Sequence, residues 1–121
     1  LLSKQKLFKL SQICNIEKLD QDIIPLIYKL NFELNIKTKF SCSGHYKYDK
    51  AYIMFDSNVS IKQINILINK ISKIKNNDFN FTIKKFERFD LDNNYLCNFE
   101  LTLNPQFKIT RKKMLKILEN L

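Results

Sequence analysis

The chain has 121 residues, enough for one domain and too few for two of ordinary size. At 45% hydrophobic it can bury a core without disulfide staples, and no stretch approaches the ~18 uncharged apolar residues of a membrane span. The net charge of +9 comes almost entirely from Lys, since Arg88 and Arg111 are the only arginines among 21 basic residues.

Cys14, Cys42 and Cys97 are too few and too scattered for a disulfide framework. No charged-then-apolar leader pattern is evident. The expectation is a single domain over residues 1–121, cytoplasmic and reduced, with no membrane partner. The positive charge has two readings. It can serve nucleic-acid binding. It can equally reflect the Lys-, Ile- and Asn-rich composition of an AT-rich genome. Arg, the residue suited to bidentate phosphate and base contacts, is scarce.

Taken in chain order, Leu7, Phe8 and Leu10 predict a short helix over 4–13. Asp20 or Asp22 is expected to cap a second helix running to about Leu34, with Ile23, Ile27, Leu30 and Leu34 at helical spacing and Pro25 in the first turn. The period then changes to two. Ile36, Thr38, Phe40 and Cys42 alternate with Lys37, Lys39 and Ser41, which is a strand. Ala51 to Phe55 reads as a second strand, apolar enough to be central. The connecting loop, 43–50, holds the only glycine in the chain, Gly44.

Ser60 is placed to cap a third helix, with Ile61, Ile64, Leu67, Ile68, Ile71 and Ile74 on its buried stripe and Asn76-Asn77 at its end. Phe79, Phe81 and Ile83 begin a third strand. Asp92-Asn93-Asn94 is a turn. Tyr95, Cys97, Phe99, Leu101 and Leu103 alternate with Leu96, Asn98, Glu100 and Thr102 in a fourth strand. Thr110 is placed to cap a last helix with Met114, Ile117, Leu118 and Leu121 on its apolar face. The order α-α-ββ-α-ββ-α predicts an α+β fold: a mainly antiparallel sheet from two hairpins, with helices packed on one face.

The candidate chemistry centres on Ser41-Cys42-Ser43-Gly44-His45. A chain that otherwise avoids glycine has reason to keep one where the backbone needs positive φ or close approach to a ligand; a simple tight turn is the plainer reading. Ser41, Ser43 and the Gly44 backbone can hold an anion or polar ligand, or satisfy the turn itself. Cys42, by strand parity on the face of Ile36 and Phe40, reads as packing; paired with His45 it reads as a catalytic thiolate. His45, the lone histidine, can contact phosphate, move a proton or ligate metal. Cys42-x-x-His45 has the spacing of half a zinc site, but the other half is missing, so no metal is expected.

Tyr46, Lys47, Tyr48 and Lys50 interleave aromatics with cations in the manner of an RNA-binding loop. Lys108, Arg111, Lys112, Lys113 and Lys116 form a second basic cluster. It reads first as a solvated helix face, with Lys112 and Lys113 as candidate RNA contacts. No nucleotide-binding or hydrolase signature is present.

The run Asp20-x-x-Ile23-x-Pro25-Leu26-Ile27-x-x-Leu30-Asn31, followed by Thr38-x-Phe40-Ser41-Cys42-Ser43-Gly44, resembles the start of the tRNA wybutosine-synthesis methyltransferase family. His45 stands where that family has Arg. The resemblance implies S-adenosylmethionine as cofactor, tRNA as partner and a ligand held at Ser41, Ser43, Gly44 and His45. The Ser-Cys-x-Gly-His pattern is also similar to small uncharacterised proteins of bacteria and their phages. The alternative function is therefore a non-enzymatic phage or mobile-element protein that binds nucleic acid or a host protein.

Overall fold

The computed structural model describes every residue except Leu1, His45, Asn76 and Phe107. Period-two stretches produce four strands: β1 (Thr38–Cys42), β2 (Ala51–Phe55), β3 (Phe79–Phe89) and β4 (Tyr95–Pro105). They form one antiparallel sheet in the order β1-β2-β4-β3, with the apolar β2 inside it. Ala51, Ile53 and Phe55 of β2 share a buried face with Phe99, Leu101 and Leu103 of β4.

The helices are α1 (Lys4–Ser11), α2 (Ile24–Tyr28), α3 (Ile61–Ile74) and α4 (Arg111–Leu118), with a 3₁₀ turn at Ile16–Lys18. Their apolar faces join the sheet in one core: Leu10 of α1, Leu26 and Ile27 of α2, Ile64, Leu67 and Ile71 of α3, and Met114, Leu115 and Leu118 of α4. No helix is long and apolar enough to cross a membrane among the described residues. The α+β class, the element order and the one-sided helix layer follow the sequence pattern.

Side-chain caps explain three of the helix starts. Ser3 accepts from the Lys6 N–H and starts α1. Ser60 and Gln63 form a reciprocal capping box on α3. Thr110 accepts from the Lys113 N–H on α4. On α3, Ile61 departs from the expected stripe: it stands exposed in the first turn, and Ile64, Leu67 and Ile71 carry the burial.

The expected Asp cap on α2 is absent. Ile23 occupies the N-cap with no side-chain hydrogen bond, while Asp20 and Asp22 turn away toward the loop after β1. Pro25 does sit in the first turn. Beyond Tyr28 the helix continues as a π-helical turn, Lys29–Glu33, with the Leu34 N–H donating to the Lys29 carbonyl at 3.0 Å. In that turn the Asn31 amide donates to the Ile27 carbonyl (2.8 Å) and to Thr38 Oγ1 (2.9 Å), and accepts from the Thr38 N–H (3.1 Å). The start of β1 is thereby pinned to the helix.

β3 and β4 extend well past β2 as a long hairpin. Its turn is held by Asp90, whose carboxylate accepts from the Asp92 and Asn94 N–H groups, while Asn93 takes φ 62°. The bond from the Asn94 amide holds the Asp90 carboxyl below its ordinary range, and the Tyr95 hydroxyl, then Lys85, does the same for Glu87. Carboxyls with depressed folded-state values stabilise the hairpin fully above the unfolded value of about 4 and lose that contribution as pH falls through the folded-state values. Amide protection measured by NMR at Asn94 and Tyr95 is expected to fall in acid before protection at Ile53 and Leu101 does. Parallel loss at all four positions would contradict this.

Candidate functional site

β1 carries a bulge that decides which way the site faces. Thr38 pairs with Phe55, but Phe40 pairs with Met54, so Lys39 is the extra residue. From Phe40 onward each side chain lies on the face opposite to the one simple alternation assigns. Phe40 and Cys42 therefore share a face with Met54 and Tyr52, away from the helices, while Ser41 pairs with Ile53 on the core side. Cys42 is exposed rather than packed with Ile36. Ser41 Oγ is buried and has no hydrogen-bond partner among the described residues.

Immediately after β1 the chain enters a polar clasp. Ser43 is 1% exposed. Its N–H donates to Asp20 Oδ2 at 2.9 Å and its hydroxyl to Asp22 Oδ1 at 2.6 Å. The other Asp22 oxygen accepts from Arg111 Nε at 3.1 Å. This ion pair is largely buried, with the Arg111 and Asp22 side chains 7% and 12% exposed. Arg111 is thus not part of a solvated helix face. Its guanidinium also donates to the Tyr46 carbonyl, and its backbone N–H donates to the Lys47 carbonyl at 2.6 Å.

Gly44 has φ 78°, and a Cβ there would lie 2.6 Å from Asp49 Cβ. The Asp49 carboxylate in turn accepts from the Tyr46 N–H at 2.9 Å, and the Asp49 N–H donates to the Tyr46 carbonyl. Both reasons for keeping a glycine, positive φ and close approach, apply, and the approaching group is the loop's own Asp49.

The chemistry of the clasp is specific. Both Ser43 donors face carboxylates, so neither is presented to an anion. Ser43 itself therefore faces Asp20 and Asp22, with Arg111 behind Asp22. The expected ligand and catalytic position His45 lies outside the described residues, and with it the Cys42–His45 pairing.

Arg111 does join what the sequence keeps apart. Its bonds to Tyr46 and Lys47 bring the 46–50 loop against the start of α4, where Lys112 and Lys113 are exposed. Tyr46, Lys47, Tyr48 and Lys50 are exposed as well, and the Lys47 ammonium sits 5.6 Å from the Tyr48 ring centroid. The 46–50 loop, which carries four of the candidate RNA-binding residues, therefore lies against the helix that carries the other two, Lys112 and Lys113. A depression of about 440 Å³ connects this loop to the sheet, lined by Gly44, Tyr48, Asp49, Lys50, Tyr52 and Asn104.

Sequence reasoning missed the sheet face beyond it. Tyr52, Thr82, Lys84, Phe86 and Arg88 are exposed there, together with Phe40. The available signal was Tyr52 and Phe86, aromatics at positions that alternation assigns to the polar side.

Fold and site together define a small basic α+β domain whose sheet is shielded by helices on one side. The chain matches the YoqC prophage protein family over residues 7–120, nearly its whole length, and belongs to that family. No curated protein and no solved structure matches it. The family match falls on the phage side of the resemblances and lends nothing to the tRNA wybutosine-synthesis methyltransferases.

Removing one partner of a buried ion pair leaves the other charge desolvated. Arg111→Ala is expected to lower unfolding free energy in urea by about 3–5 kcal/mol, and Arg111→Lys to recover only part of it, since Lys lacks the guanidinium fork. A loss below ~1 kcal/mol would contradict the clasp. Gly44→Ala, strained by φ and by Asp49, is expected to cost more than about 1 kcal/mol in the same assay. Unchanged stability would contradict the close approach.

Proposed function

We propose that this YoqC-family protein is a non-enzymatic prophage factor that binds nucleic acid through the cationic patch formed by the 46–50 loop and the start of α4. The observation that carries this reading is the junction at Arg111. It ties Tyr46 and Lys47 to the helix bearing Lys112 and Lys113. Cations spaced over one rigid surface can engage several phosphates together, and the net charge of +9 favours encounter with a polyanion. The methyl-transfer reading, with S-adenosylmethionine bound at Ser41–His45 and tRNA as substrate, has weaker support. Ser43 offers carboxylate-bound donors rather than free ones.

A host-protein partner is the second reading. It is favoured by the β3–β4 hairpin tip, where Phe89 and Leu91 are exposed beyond the core.

Salt separates the two. Fluorescence anisotropy with a labelled oligonucleotide is expected to show the logarithm of affinity falling linearly with the logarithm of salt concentration. Lys112→Ala and Lys113→Ala are expected each to reduce that slope by about 1 while weakening binding to all sequences alike. Absence of oligonucleotide binding by the folded protein would move the host-protein reading to the front.

A further inference from the structure

The helix layer leaves the second face of the sheet uncovered, and that face is not an ordinary solvated surface. Register places Phe40, Met54, Glu100 and Lys84 in one row across all four strands, and Cys42, Tyr52, Thr102 and Thr82 in the next. Phe86 follows on β3, opposite Asn98. Three aromatic side chains are thus displayed on a rigid support, with Phe40 56%, Phe86 44% and Tyr52 39% exposed.

Cations frame them. A cleft of about 370 Å³ lies between Phe40 and Phe86, floored by Met54 and Asn98 and flanked by Lys39 and Arg88. Arg88 is held in place, because its guanidinium donates to Asn98 Oδ1 at 2.5 Å. Asn98 is itself 2% exposed and anchored by donation to the Phe55 carbonyl at 2.8 Å. Two acids lie close by. Glu87 at the rim is engaged by the Tyr95 hydroxyl and Lys85, and Glu100 lies between Met54 and Lys84 in its row.

We propose that this open face is a stacking platform for the unpaired bases of a single-stranded nucleic acid, whose backbone runs on to the 46–50 patch. The inference rests on the nucleic-acid reading above and adds the strand state and the residues. Aromatic faces recognise any unstacked base, and flanking cations hold the phosphates. Continuity supports one path: Tyr52 belongs both to the open face and to the depression shared with Tyr48 and Lys50. Cations outnumber acids here, with Lys39, Lys84 and Arg88 near the rings against Glu87 and Glu100. A duplex hides its base faces and can use only the cations.

The test compares a fluorescein-labelled oligo(dT) of about 15 nucleotides with a duplex of equal length, for the wild type, F40L/F86L and K112A/K113A. The leucines keep apolar volume at exposed positions and remove the rings, and circular dichroism checks the fold. The expected result is preference for the single strand, lost about tenfold in F40L/F86L with an unchanged salt slope. Duplex affinity is expected to stay the same in that variant. Equal binding of both probes, insensitive to F40L/F86L but weakened in K112A/K113A, would overturn the platform and leave the cationic patch standing. No binding of either probe by folded wild type would overturn both.

Discussion

The contact on which the rest depends is the Asp22 carboxylate, shared between the Ser43 hydroxyl and the Arg111 guanidinium. These three residues come from the approach to α2, the end of β1 and the first turn of α4. One largely buried carboxylate therefore fixes the first helical layer, the sheet edge and the last helix against each other. A buried charge pair is a poor source of net stability compared with apolar packing, but it is intolerant of misplacement. Here it specifies where the 46–50 loop must sit, because Arg111 also holds the Tyr46 and Lys47 carbonyls. Within the Ser-Cys-Ser-Gly motif, Ser43 is the residue that makes this joint.

A second constraint is the bulge at Lys39. Without it Phe40 would turn into the core and the sheet's outer surface would lose an aromatic. With it, Phe40 joins Tyr52 and Phe86 on a face that no helix covers among the described residues. Joint and bulge act together: one shapes a cationic loop, the other aims aromatics beside it. The proposed single-stranded partner would use both, its phosphates at the loop and its bases on the rings.

Much of the fold was legible because the period changes cleanly. Alternation along 95–103 marked β4, the spacing of Ile64, Leu67 and Ile71 marked α3, and Ser60 and Thr110 marked two helix starts. The site was legible as a location and not as a chemistry. Asp20 and Asp22 look like caps because a carboxylate before a helical run usually is one. Their partners, Ser43 and Arg111, lie too far along the chain for local patterns to register. Arg111 looked like one more cation in a basic run, and only tertiary packing separates it from Lys112 and Lys113. The bulge inserts a residue without changing composition, so parity along 36–42 misassigned Cys42 and concealed the open face.

The most direct test is the aromatic NMR spectrum of the protein titrated with oligo(dT). Bases stacked on the sheet shift the ring protons of Phe40, Tyr52 and Phe86 and give intermolecular NOEs to them, while the buried rings of Phe55 and Phe79 stay unmoved. That is the result this account predicts. Saturable binding that leaves the three exposed rings unperturbed would contradict it.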